Sequence, residues 1–147
     1  MKIIQKTALG LILLMGLFFF VNNSFSAEGQ SLFVSLTSNE IHRGAMAITF
    51  STRVLQEQQI PATIFLNVEG VKLADKNLPG PLHVSGKTLQ EMLSDFMASG
   101  GKVIVCPMCM KNVGGFTKND LIEGAVVGGS DVTIPALFAK GTTVLSY

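Results

Sequence analysis

Gly101-Lys102-Val103-Ile104-Val105-Cys106-Pro107-Met108-Cys109-Met110-Lys111-Asn112-Val113-Gly114-Gly115 contains both cysteines of a 147-residue chain. Residues 103–105 form a β-branched run that reads as a buried strand. The cysteines follow at once, at the carboxyl end of that strand, on the way into a turn or helix. In open α/β sheets, ligands bind and chemistry occurs at the rim made by strand carboxyl ends. The fold turns on whether the rest of the chain alternates strands and helices around this one.

It does alternate. Residues 31–37 read as a first strand, and Ser38-Asn39-Glu40 supplies helix N-cap chemistry with early negative charge. A helix over residues 40–58 follows, with Ile41, Ala45, Ile48, Thr52 and Leu55 close to one face. Residues 61–67 are apolar nearly throughout, as expected of a parallel strand covered on both sides. Strand, helix and strand make a right-handed crossover. Residues 68–86 break the pattern at Gly70, Pro79, Gly80, Pro81 and Gly86. They read as a long loop with one helical turn at residues 71–74, and such loops commonly serve as lids or interfaces.

Residues 87–99 read as the second clear helix, with Leu89, Met92, Leu93, Phe96 and Met97 as its buried stripe. Gly100-Gly101 stops it. After the cysteine strand, residues 116–125 predict a short helix with Asp120 and Glu123 exposed. Val126-Val127 forms a brief strand, residues 132–140 a last helix, and residues 142–147 a closing strand. The sum is a single three-layer α/β domain with a mostly parallel sheet of four to five strands, over residues 27–147.

The first 26 residues are read separately. Lys2 and Lys6 form a positive start, residues 8–21 an uncharged apolar run, and residues 22–27 a polar, small-residue end. This is the layout of a secretory signal peptide, with the cut expected after Ser26. The apolar run is short for a membrane span of about 20 residues. No cysteine follows it, which argues against a lipid anchor. The expected destination is the periplasm or the exterior. Setting aside Lys2 and Lys6, the 11 basic residues fall to nine against 10 acidic ones. With no basic run and no aromatic-basic interleaving, nucleic acid is not an expected partner.

Export changes the reading of Cys106 and Cys109. Exported thiols meet an oxidising compartment, yet a pair this close staples almost no loop. A reactive or ligating role gains weight over a structural one. Cys-Pro-x-Cys at a helix start is an arrangement that lowers a thiol pKa, and thioredoxin-type proteins use it so. Here it follows the third strand, later than in thioredoxins. A metal reading also stands: Cys106, Met108, Cys109 and Met110 are soft ligands suited to Cu(I). The alternative function is thus a non-catalytic binding or assembly module whose cysteines hold Cu(I) or a local disulfide. His42 and His83 show no partner pattern. Thr37, Ser38 and Asn67 would share the rim with Cys106, most simply as caps and turn formers. No phosphate loop, Ser-His-Asp order or cofactor signature is present.

Several segments, in order, resemble the DsrE/DsrF-like (TusD-like) sulfur-relay family. They are Val34-Ser35-Leu36-Thr37-Ser38 through Arg43-Gly44-Ala45-Met46-Ala47, and Ala62-Thr63-Ile64-Phe65-Leu66 with Gly70-Val71-Lys72-Leu73-Ala74. The run from Leu89 into Val103-Ile104-Val105-Cys106, Gly114 beyond it, and Thr143-Val144-Leu145-Ser146-Tyr147 complete the set. The resemblance spans the mature domain. It implies a flavodoxin- or Rossmann-like sheet and assembly into trimers or hexamers. It also implies a strand-end cysteine, here Cys106, that carries sulfur as a persulfide between a sulfur donor and an acceptor thiol or small sulfur compound. Such a carrier is sulfurtransferase-like and needs no cofactor. The relay proteins are cytoplasmic and commonly show small apolar residues where this chain has Pro107 and Cys109. Cys109 is placed to resolve a modified Cys106 as a disulfide.

Overall fold

The computed structural model describes residues 29–147; the leader read over residues 1–26 and its cut lie outside the described residues. Five strands form one sheet: β1 (Ser31–Leu36), β2 (Ala62–Leu66), β3 (Lys102–Val105), β4 (Val126–Val127) and β5 (Thr142–Ser146). Their order is β4-β3-β2-β1-β5, and every neighbouring pair is parallel. Among the described residues four α-helices accompany them: α1 (Ile41–Gln58), α2 (Leu89–Ala98), α3 (Pro107–Cys109) and α4 (Thr133–Leu137).

The order explains the layers. From β1 to β4 the chain steps steadily toward one edge, so right-handed crossovers put α1 and α2 on the same face, where they pack together. The return from β4 to β5 crosses the sheet and carries α4 over the opposite face. There Ile134 sits in one depression with Phe65. The main core lies under α1 and α2. Leu32, Val34, Leu36, Ile64, Leu66, Val103 and Val105 meet Ala47, Ile48, Leu89, Leu93 and Phe96 there. Thr88 caps α2 in a capping box with Glu91, which satisfies two helix N-terminal donors reciprocally.

Other expected elements are sharpened or come out differently. Within the Ser38-Asn39-Glu40 cap segment, Glu40 is the residue that caps α1, its carboxylate accepting from the N–H groups of His42 and Arg43 at 3.0 and 2.9 Å. Ser38 instead accepts from Glu40 N–H at 3.0 Å. The buried face of α1 runs through Gly44, Ala45, Ala47, Ile48 and Ser51, turned slightly from the expected stripe. The helix expected over residues 116–125 shrinks to a 3-10 turn, Lys118–Asp120. Its carbonyls and N–H groups are taken elsewhere: Asp120 O accepts from Lys76 N–H at 2.8 Å, and Ile122 N–H donates to Ala74 O at 2.8 Å. Gly124 at φ +88° stops any continuation. The long loop is accordingly more ordered than its punctuation suggests, with a 3-10 segment at Val68–Ala74 and a bridge from Asp75 to Leu121.

Candidate functional site at the end of the third strand

Cys106 closes β3 and opens α3. Its N–H donates to Leu66 O at 2.9 Å, continuing the sheet ladder by one bond. Its backbone is extended at φ −63°, ψ 115°, the geometry of a helix N-cap. Its Sγ then accepts from the N–H of Cys109 at 3.4 Å. Pro107 occupies the first helical position, where its missing N–H costs nothing. One turn later the chain widens into a π-turn, Met110–Gly114, which Gly115 closes at φ +71°. Single π-turns of this kind are frequent at functional sites.

Met110 explains how the turn is held. It is only 8% exposed and belongs to the core, so it anchors the turn from below. Cys106 and Cys109 stay half-buried as free thiols, and Met108 is 67% exposed. The four-sulfur ligand set read from sequence is therefore split, with one thioether committed to packing. Lys111 is exposed on the π-turn. Gly114 serves Phe116, whose ring lies 2.3 Å from where a Cβ would stand. That contact is internal to the chain.

The electrostatics reverse the sequence expectation. Burial pushes the Cys106 thiol up, and the hydrogen bond with the Cys109 side chain adds to the rise. The Cys109 backbone N–H pulls the other way without winning. The reason is burial first: desolvation disfavours the thiolate by more than the backbone N–H groups at the start of α3 favour it.

The sequence did not reveal the wall beside the cysteines. The 3-10 segment Val68–Ala74 packs against the α3 and π-turn segment, with Gly70, Val71, Leu73 and Ala74 buried. Gly70 lies directly on β1: a Cβ there would stand 2.2 Å from Leu36 O. Val68, 47% exposed, has φ +48°, a left-handed conformation that a β-branched residue adopts only under constraint. The helical turn expected at residues 71–74 is part of this segment; its packing on the cysteine turn is what the sequence did not show.

The other expected rim residues have structural partners. Thr37 Oγ1 donates to Tyr147 O at 2.7 Å, and Asn67 Nδ2 donates to Ser35 Oγ at 2.9 Å. His42 and His83, unrelated in sequence, line one depression with Met46. Among the described residues no group of three or more His, Cys, Asp or Glu side chains is placed to hold a metal.

The family model for the DsrE/DsrF-like family matches residues 16–146. No curated protein matches the chain. Among solved structures, the ychN protein of E. coli aligns with TM-score 0.60 and 20% identity, over 80% of this chain and 99% of that one. The protein of unknown function MTH1491 from Methanobacterium thermoautotrophicum aligns with TM-score 0.65 and 14% identity, again over 80% and 99%. At these identities the two structures establish the shared fold.

Proposed function

Since the chain belongs to the DsrE/DsrF-like family, we propose that Cys106 handles sulfane sulfur as a persulfide, or exchanges disulfides, with Cys109 as its partner thiol. The observation that carries this reading is the placement of the pair. A free thiol stands at the carboxyl end of a central strand, with the second thiol one turn on and its amide 3.4 Å from the first sulfur.

The chemistry balances without a cofactor. The Cys106 thiolate attacks the outer sulfur of a donor persulfide, forming a new S–S bond while the donor leaves as its thiolate. An acceptor thiolate then takes that outer sulfur and releases Cys106. Alternatively, the Cys109 thiolate attacks the inner sulfur, giving a Cys106–Cys109 disulfide and expelling hydrosulfide. A dithiol reductant from outside would reset that disulfide by exchange. The implied partners are a thiol protein that donates or accepts sulfur, or a small sulfur compound.

Two further parts of the reading concern location and assembly. Residues 1–26 act as a cleaved leader, so the mature chain begins at Ala27 in the periplasm or outside the cell. N-terminal sequencing of the exported protein checks this, and an intact Met1 would reject it. The chain also forms a homo-oligomer, a trimer or hexamer, through the thinly covered sheet face. Val126 pairs with Ile104, and Val144 with Phe33, on that face. Val126, Val144, Ile134 and, at 78%, Phe138 are exposed. A monomer in a sizing experiment would reject the assembly.

The main test is mass spectrometry of the mature protein after treatment with polysulfide. One added sulfur on Cys106, lost in Cys106→Ala and retained longer in Cys109→Ala, supports the carrier. Failure of Cys106 to gain sulfur rejects it.

A further inference from the structure

We propose that His42, Met46 and His83 form a binding site for one Cu(I) ion, separate from the cysteine pair. The observation is their convergence. All three line one depression of about 230 Å³ between α1 and the loop that precedes α2, with Ala45 and Thr49 as its remaining lining. Two imidazoles and a thioether are the only metal-ligating groups there.

The elements hold these donors in place. His42 and Met46 are four residues apart on α1 and so lie one turn apart on the same face. At 1.5 Å rise per residue their Cα atoms stand about 6 Å apart along the axis, a span that two side chains can close on one ion. His83 comes from a tied turn: its N–H donates to Lys87 O at 2.9 Å, and its carbonyl accepts from Gly86 N–H at 3.0 Å. A bridge between Leu82 and Thr88 closes the same turn. The His83 ring is oriented as well, since its Nδ1 lies 3.0 Å from Ser85 Oγ. The Ser85 N–H also donates to Nδ1, at 3.3 Å, so Ser85 fixes the ring from two sides. Metal binding through Nε2 requires the ring proton to sit on Nδ1 and donate to Ser85 Oγ, with the Ser85 N–H contact given up. The His42 ring makes no hydrogen bond among the described residues.

The donor set selects the ion. Imidazole suits several transition metals, whereas a thioether favours the soft Cu(I). No carboxylate lines the depression. The nearest in sequence, Glu40, spends both oxygens capping α1. A neutral, oxygen-poor set of three ligands is a poor host for Mg(II) or Ca(II), which take oxygen ligands, and a better one for a monovalent soft cation.

The experiment uses a Cys106→Ser/Cys109→Ser background, so that thiols contribute nothing and the result is independent of the persulfide reading. The protein is titrated with Cu(I), kept reduced by ascorbate, against a chromophoric Cu(I) chelator. One equivalent is expected to stay on the protein. His42→Ala and His83→Ala should each weaken retention at least about tenfold, and Ser85→Ala by about 10- to 100-fold through the His83 ring. Met46→Leu should weaken Cu(I) retention and remove the sulfur scatterer from the X-ray absorption spectrum. His42 and Met46 are exposed and His83 half-buried, so circular dichroism should show every variant folded. The proposal is overturned if the background protein yields all its Cu(I) to the chelator. Equal retention by the histidine variants, or an unchanged spectrum in Met46→Leu, also overturns it.

Discussion

Replacing Gly70 by alanine tests the link between the sheet and the wall beside the cysteines. The new Cβ would stand 2.2 Å from Leu36 O, a backbone atom. Comfortable contacts lie at about 3.5–4.0 Å, so the wall has to lift from β1 by about 1 Å or more. Leu36 O also accepts from Asn67 N–H at 3.1 Å, and Gly70 N–H donates to Thr37 O at 3.2 Å; lifting stretches both. Overpacking costs about 1–3 kcal/mol and a lost hydrogen bond about 1 kcal/mol, giving a total of about 2–4 kcal/mol. For a domain of this size that lowers the melting temperature by about 8–16 °C. Gly44→Ala is the matched control. There the obstacle at 2.5 Å is Leu89 Cδ1, the tip of a side chain, and alanine in a helix interior recovers about 1 kcal/mol. Its net effect should stay within about 1 kcal/mol of wild type. Melting followed by circular dichroism, with the alkylation rate of Cys106 measured on the same samples, reads both the wall and the site. A Gly70→Ala protein that melts with the wild type, or above Gly44→Ala, would refute the contact and the role given to it.

The Cys106 thiol is pushed up by burial first and by the Cys109 side chain second, so its neutral form persists to higher pH than that of free cysteine. Its alkylation rate, read site by site by mass spectrometry, should rise with a midpoint above that of cysteine in a short blocked, uncharged peptide measured alongside; a lower midpoint would contradict the burial. In Cys109→Ala the raising influence of that side chain goes while the backbone N–H stays, so the Cys106 midpoint should move down. Leu93→Ala removes a fully buried side chain of the α2 stripe and should cost about 2–5 kcal/mol in urea unfolding; a loss below about 1 kcal/mol would mean that α2 does not seal the core.

Where one residue type decided an element, the sequence was legible. The β-branched run at Val103-Ile104-Val105, the Leu89-Leu93-Phe96 spacing and the glycines at 100–101 each have a local cause, and each element appears where expected. The parallel sheet and the strand-end position of Cys106 followed from their order. Residues 116–125 were misread because their periodicity is helical while their hydrogen bonds go to Ala74 and Lys76, partners that no local pattern announces. The direction of the Cys106 shift failed for a related reason. A Cys-Pro start does mark a helix N-terminus, but the burial around the sulfur is a tertiary fact. The meeting of His42 with His83 lay equally out of reach, since only the path of the loop after Asp75 brings the second histidine to α1.

The raised Cys106 thiol bears on what an exchange partner must supply. A thiol kept protonated attacks slowly at neutral pH, because only the thiolate is nucleophilic. Its thiolate, once formed, is the better nucleophile and the poorer leaving group for its high pKa. In the proposed carrier these tendencies combine: loading needs help with deprotonation, and unloading to an acceptor is resisted until the departing Cys106 thiolate is stabilised. Within the chain the stabilising groups are the backbone N–H of Cys109, 3.4 Å from the sulfur, and that of Met108. A partner that docks over the exposed Met108 and Val68 would add burial and raise the thiol further unless it carried positive charge of its own. A productive partner should therefore present an apolar contact together with a cation near the sulfur. An acidic partner surface would leave Cys106 protonated, whatever the fit.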